Sequence, residues 1–463
     1  MPPITLIPVS LAVAAMTAPV FAELDTRDDQ IAELRTMVET LQGEVATLHA
    51  ENDPNWLTQH RTEQIRGLVQ DVLADADTRA ALQGDGLTAG YDGGFVVQSA
   101  DGKFKIKVSG QIQTRFMFND AASQPHDYGF ELRRSKVKLS GHLIDPSVTY
   151  KITIANQRNS QGDNDPGEGI FVEDAWLSKK SDNGSYWKVG QMKAPFTREE
   201  LVSSSAQLTV ERSGLNNQFT YGWTQGIEIG NQGDDFWWRA WLGDGPNSAN
   251  IQSANDIRSD SIAIVARADF RLDGDWKDWA TMTGRGAAGD STFIGAAFQW
   301  FNGSDVPGNN TEYGGYNGTN SFGFTVDGSL TRGDWTAFGA VMWASGSAAG
   351  GARNAAWGVL AQLGHDVSVD TQIFARYEFG KIDNYADSGS DGDNSVLTVG
   401  FNHWLTDGRN VKWTTDFGYA FDQIADGGTD ASADYASSGN GWRADNAGES
   451  GQWLIRTQMQ LLF

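Results

Sequence analysis

The chain has 463 residues, with 54 Gly, 17 Trp and no Cys, and a formal net charge of −24. The absence of cysteine excludes disulfides, zinc–thiolate centres and thiol nucleophiles together, and the acidic balance argues against nucleic acid as a partner. Mean hydropathy is −0.41, and past the extreme N-terminus there is no run of about 18 apolar residues, the length that a membrane-spanning helix needs.

Residues 1–22, MPPITLIPVSLAVAAMTAPVFA, read as a signal peptide. An apolar segment runs from Ile4 to Val20, Val20-Phe21-Ala22 resembles a small-residue cleavage site, and acidic sequence follows. The expected basic residue before the apolar segment is missing. Residues 23–52 carry heptads: Leu24, Ile31, Val38 and Val45 at a, Leu34, Leu41 and Leu48 at d. β-branched a and Leu d positions predict a two-stranded coiled coil, with a single amphipathic surface helix as the alternative. Residues 53–91 predict a helical spacer. Ile65, Leu68, Val69, Val72 and Leu73 form its apolar stripe.

From residue 92 onward the hydrophobic period changes from helical to 2. In FKIKVSGQIQTRFMF (104–118), Phe104, Ile106, Val108, Ile112, Phe116 and Phe118 share one face, opposite Lys105, Lys107, Gln111, Gln113 and Arg115. Such runs reach 10–15 residues. Strands in β-sandwiches average about 5–6 residues, whereas a strand tilted across a bilayer needs about 9–11. Candidate strands begin near 102, 128, 146, 169, 184, 225, 234, 259, 289, 319, 332, 352, 368, 393, 410 and 451. Sixteen is an even count, and their connections alternate between short turns and long loops, as in outer-membrane barrels. The stretch 273–288 is long where a short turn is expected, which keeps an 18-stranded count open. The last stretch, WLIRTQMQLLF, alternates up to Phe463, as expected of a closing strand against lipid. The fold class predicted is therefore all-β: a 16-stranded antiparallel transmembrane barrel over 92–463, behind the signal peptide and the coiled coil.

Three segments resemble a known family: FELRRSKVKLSGHL (130–143), VEDAWLSKK (172–180) and, most specifically, WKVGQMKAPFTREELVSSS (187–205). They are similar to the phosphate-selective porin O and P family; the coiled coil is an addition to that pattern. The resemblance implies a homotrimeric 16-stranded outer-membrane porin whose third long loop, here about 194–224, folds into the lumen.

In such a barrel, selectivity comes from charge on the lumen wall and on the inserted loop. Alternation turns Lys105, Lys107, Arg115, Arg134, Lys136 and Lys138 inward on the first two strands, and Lys151, Arg376 and Arg456 inward on others. Arg198 and Arg212 lie on the candidate constriction loop, expected to face this ladder. Arg offers a planar fork to an anion and Lys a point charge. Small inorganic anions such as phosphate are the expected permeants, with no cofactor, no metal and no enzymatic chemistry. The net charges of 1–91, 92–200 and 201–463 are −9, +1 and −16. The acid concentrates in loops, where screening beyond about 8 Å mutes it. Asp387, Asp391 and Asp393 have loose calcium-loop spacing without the closing Glu, so a solvated loop is the better reading. TGRGAAG (283–289) lacks the strand–helix context of a dinucleotide site. Two other readings fit the composition: a general or cation-leaning pore, and an envelope tether in which a barrel anchors a coiled coil that touches the cell wall. A secreted β-sandwich is the third rival.

Overall fold

The computed structural model of the chain describes residues 35–44, 86–122, 124–156, 170–246, 262–285, 287, 289–303, 320–347, 353–383, 393–406, 408–424, 439–443 and 449–463. The chain divides into two compact units, 1–86 and 87–463. In the first, residues 35–44 form a helix with Val38 and Leu41 exposed. The signal peptide, the outer heptads and residues 53–85 of the spacer lie outside the described residues.

The second unit is built on eighteen strands, sixteen of which close a barrel. These are β3 (Lys105–Asp120), β4 (Asp127–His142), β5 (Val148–Asn156), β6 (Ile170–Lys180), β7 (Ser185–Lys193), β8 (Trp223–Gln232), β9 (Phe236–Gly243), β10 (Ile262–Asp273), β11 (Ser291–Asn302), β12 (Asn320–Arg332), β13 (Trp335–Ser347), β14 (Arg353–Ser368), β15 (Thr371–Asp383), β16 (Asp393–Trp404), β17 (Val411–Ala420) and β18 (Trp453–Leu462). Each pairs antiparallel with the next, and β18 pairs with β3 from Trp453↔Asp120 to Leu462↔Gln111. Closure leaves no open edge among the barrel strands, which hydrocarbon would make costly by several kcal/mol per unpaired group.

The remaining two strands correct the expected spacer. Residues 87–91 are not helical: β1 (Leu87–Tyr91) forms a hairpin with β2 (Phe95–Ser99). β2 then pairs with β3 over Lys105–Val108, the stretch that runs past the end of β18. The hairpin thus covers an edge that the closing strand is too short to reach. At the handover Gly110 N donates to Phe463 O at 2.7 Å, and the Phe463 ring lies over Gly110, where any side chain would collide with it.

Alternation holds around the outer face. Ile227, Ile264, Val326, Val341, Val359, Ile373 and Ile455 are exposed there. Aromatic side chains gather towards both rims, with Trp187, Phe236, Phe270, Trp335 and Trp413 near the short turns and Phe130, Trp300, Phe324 and Phe379 near the long loops. An apolar band between aromatic girdles is the surface that a bilayer requires. The β14–β15 turn falls at Val369-Asp370, later than the Gly364–Asp366 position that its Gly and Asp suggest, because β14 continues through an irregularity between Asp366 and Ser368.

Among its described residues the long 274–290 connection adds no strand to the barrel, whose strands number sixteen. It holds a short 3-10 helix, Trp276–Ala280, and turns into the barrel from the short-turn rim. Trp279 and Met282 are buried there, and Met282 N donates to Ala206 O at 2.9 Å. Arg285 of the Gly-rich stretch reaches Asp370 and donates to Thr406 O at 2.9 Å, fastening the connection across the rim.

Candidate functional site: the lumen passage

The connection between β7 and β8, residues 194–222, folds into the lumen, as expected of the third long loop; we call it L3. Two pieces of helix, Arg198–Leu201 and Gly214–Phe219, stiffen it. One side of L3 is apolar. Phe196, Val202, Leu208, Leu215, Phe219 and Tyr221 pack with Trp241, Val265, Phe301, Phe338, Met342 and Leu360 on the inner wall. Leu215 fits over Gly358 and Gly380, a cross-strand pair whose missing side chains leave its place open. The loop's backbone is tethered by polar side chains of β15–β18 and β3. Lys412 Nζ donates to Gln207 O at 3.0 Å, Asn402 Nδ2 to Leu208 O at 2.8 Å, and Val210 N to Asp416 at 3.0 Å. L3 therefore fills the side of the lumen bounded by β9–β18 and leaves the passage against β4–β8.

Two cavities mark that passage. One, about 420 Å³ and nearer the long loops, is lined by Arg133, Arg134, Lys136, Ala155, Phe171, Glu173, Glu200, Arg212 and Trp223, among others. The second, about 250 Å³ and nearer the short turns, includes Lys138, Lys151, Asp174, Trp176, Lys188 and Lys193. Both share Lys136, Glu173, Arg212 and Trp223, which form a neck between them. Together the cavities present eight basic side chains and three carboxylates. Glu211 and Glu228 stand just behind, bonded to Arg134 and Lys188 at 2.7 Å each.

Two bulges make this wall. In β4, Gln113 faces Arg134 while Thr114 faces Leu132, so Arg133 is an extra residue. In β6, Thr153 faces Asp174 while Ile154 faces Val172, so Glu173 is extra. A bulge suspends strict alternation, so the neighbours Arg133 and Arg134 both reach Glu211, at 2.7 Å each, and Glu173 and Asp174 both line the passage. Polar groups close the gaps in the ladders: Ser135 N donates to Asn156 Oδ1 at 2.7 Å, and Gln191 Nε2 donates to Glu173 O at 3.2 Å.

Glu211, near the middle of L3, is the fastening point. It accepts from Arg115 at 2.9 Å as well as from Arg133 and Arg134. Burial pushes its carboxyl upward, but the three guanidinium groups outweigh that and hold it well below the usual carboxylate range. Glu200 is balanced the same way: burial opposes Arg212 and Lys193, which win and hold it at about 2.

The eleven basic residues singled out in the sequence separate into three groups. Arg134, Lys136, Lys138, Lys151 and Arg212 line the passage. Lys136 pairs with Glu173 at 2.5 Å and Lys151 with Asp174 at 2.9 Å, whereas Lys138 has no carboxylate at ion-pair distance among the described residues. Lys105 and Lys107 stand at the short-turn rim, 3.8 and 4.0 Å from Asp92 of the β1–β2 turn. Arg115, Arg376, Arg456 and Arg198 face inward but hold structure. Arg115 pairs with Glu131 and Glu211; Arg376 donates to Thr209 Oγ1 at 2.6 Å and to Glu211 O at 2.8 Å; Arg456 pairs with Asp416 at 2.8 Å. Arg198 is a correction. It does not face the ladder but points away from the passage, donating to Trp279 O at 3.0 Å with its guanidinium 5.0 Å from the Trp279 ring. Arg198 and Arg212 lie on opposite faces of L3, which no spacing rule reveals in an irregular loop.

Sequence reasoning missed Arg133, Glu173 and Asp174, hidden by the bulges, and Glu200 and Glu211, which read as ordinary loop acids. Lys188 was within reach of the alternation rule, since Trp187 and Val189 on either side of it point outward. Asp387 and Asp391 lie outside the described residues; Asp393 pairs with Lys381 at 2.8 Å.

A family model for phosphate-selective porin O and P matches residues 106–272, from β3 to β10 and just over a third of the chain. No curated protein sequence matches the chain. Among solved structures, the anion-selective porin from Comamonas acidovorans superposes with a TM-score of 0.54 at 13% identity, covering 77% of this chain and 99% of that one. Salmonella typhi OmpF in complex with daunomycin gives 0.53 at 11% identity, covering 81% and 100%. The outer membrane channel DcaP of Acinetobacter baumannii gives 0.52 at 9%, covering 81% and 100%. At these identities the likeness is one of fold. The fold is a porin-type barrel.

Proposed function

We propose that the protein is an outer-membrane porin, a passive, anion-preferring pore for small hydrophilic solutes, phosphate among them, and a member of the family whose model matches residues 106–272. The observation that carries this reading is the passage between L3 and β4–β8, whose two cavities share a neck and present eight basic side chains against three carboxylates. An anion in that passage exchanges water for charge-assisted hydrogen bonds from Arg212, Lys136 and Lys138 in turn. Several weak sites in series let it bind and still leave. On this reading the long loops face the exterior, the short turns face the periplasm, where the coiled coil expected over 23–52 would also lie, and three copies associate in the membrane. The sites are Lys138, Lys136, Arg212, Arg134 and Lys151, with Arg115, Arg198, Arg376 and Arg456 holding L3 in place.

The deciding measurement is the reversal potential of the purified protein in a planar bilayer under a potassium chloride gradient. A potential displaced to the chloride side is the expected result, and displacement to the potassium side would sink the proposal. Heat-modifiable migration in detergent gels tests the trimer. A milder selectivity has its own support in the carboxylates that pair with Arg134, Lys136 and Lys151. A permeability ratio close to one would favour that general pore.

A further inference from the structure

The neck couples its cations to aromatic faces. Trp223 sits directly opposite Lys193 in the β7–β8 register and borders both cavities. Lys193 Nζ lies 4.5 Å and Lys136 Nζ 5.3 Å from the centre of its ring. Phe171 meets Trp223 edge-on with ring centres 6.3 Å apart and lines the larger cavity. On the other side of the neck Trp176 lies under Lys188 Nζ at 5.6 Å. The indole Nε1 of Trp223 is buried and has no hydrogen-bond partner among the described residues.

A bare inorganic anion gains nothing from these rings, because the π face is itself negative and repels it. A carboxylate attached to a flat ring gains from both parts of the wall. Its charge meets Lys136 and Arg212, and its ring lies against Trp223 and the edge of Phe171. The larger cavity, about 420 Å³, falls within the roughly 300–1,000 Å³ range of small-molecule sites. Resting on the anion-pore reading above, we propose that the neck selects, among small anions, those that carry a flat apolar ring, with aromatic carboxylates as the ligand class. Glu173 and Glu200 hold Lys136 and Lys193 while the neck is empty. The arriving carboxylate competes with Glu173 for Lys136, so binding stays reversible.

The test is block of the chloride current in planar bilayers by acetate and by benzoate, which share a carboxylate and differ in the ring. Benzoate should reach half-block at about tenfold lower concentration than acetate, the size of effect that one aromatic contact supplies. Trp223→Leu removes the ring and keeps the side chain apolar. It should bring that ratio down to roughly twofold. Phe171→Leu gives a second, smaller fall by the same mechanism. If benzoate and acetate block the unaltered channel alike, or Trp223→Leu leaves the ratio as it was, the ring-selective neck is wrong while a chloride-preferring pore stands. If the channel carries no anion-preferring current, both readings fall. The ratio in the unaltered protein is decisive even if a variant does not assemble.

Discussion

The inner wall of this barrel has two halves that obey one alternation rule and do opposite things. Along β10, the buried Ala263 and Val265 pack with L3 like the inside of a soluble domain, and the buried Arg267 and Asp269 beyond them are paired with each other. Along β4–β7, Arg, Lys, Glu and Asp with a few aromatic rings surround open space. The outer face is apolar over both. The contrast shows that an inward residue in a barrel is not thereby a channel residue. The inserted loop decides which half becomes core and which becomes conduit, since its apolar side can bury area against only one of them. Cations obey the same division: Arg376 and Lys412 hold the loop backbone, Arg456 holds the Asp416 to which Val210 of the loop donates, and Lys136, Lys138 and Lys151 line the passage.

The contrast can be broken where the halves meet. Replacing Glu211 by Ala leaves Arg115, Arg133 and Arg134 crowded together without their shared carboxylate. Removing one partner of a buried charge cluster costs about 3–5 kcal/mol. The expected result is a lower unfolding temperature and larger, noisier single-channel currents as L3 leaves its place; unchanged currents would show that Glu211 does not fasten it. Truncating Leu215 to Ala, over Gly358 and Gly380, attacks the apolar half and costs about 2–5 kcal/mol. It should destabilise the loop without moving ion preference, and a changed reversal potential at full stability would contradict the division.

The seam offers a third test. Deleting Phe463 uncovers Gly110 and removes the terminal pair of backbone bonds between β18 and β3. Less heat-modifiable barrel should accumulate in the membrane, with export unaffected. Selectivity sharpens the comparison further. Arg134→Gln with Lys136→Gln should shift the reversal potential towards cations, whereas Arg456→Gln, in the packed half, should lower stability and leave the potential alone. Equal shifts from both would reduce the passage to generic lumen polarity.

The smallest expected effect is on pH. Glu200 and Glu211 have folded values depressed below the ordinary 4.5, Glu200 to about 2. Their contribution to holding L3 is therefore full above about 4.5 and is lost as pH falls below it, that of Glu200 on approach to about 2. Burial raises Glu199 instead, so its contribution runs the other way and weakens as pH rises. Conductance should stay flat from neutral pH down to about 5 and become noisy only in stronger acid. Noise beginning near neutrality would assign the loop's hold to other groups.

The sequence by itself determined the barrel. Its period of 2 recurs in runs longer than soluble strands need, and the predicted strand starts lie within three residues of those observed. That legibility has a simple cause: every outward position answers to the same lipid, so each strand repeats the same local demand. It also singled out the third long loop, through the resemblance that GQMKAPFTREEL bears to a known family. The role of each charge came only with the folded barrel. Arg133 and Glu173 reach the lumen through bulges, which arise from pairing between strands and leave no periodic mark. Arg198 turns away from the passage and Arg212 towards it, because an irregular loop takes its facing from the wall on which it packs. Glu211 looks like any solvated acid in the chain; three arginines from two strands make it the centre of the site, and only closure of the sheet brings them together.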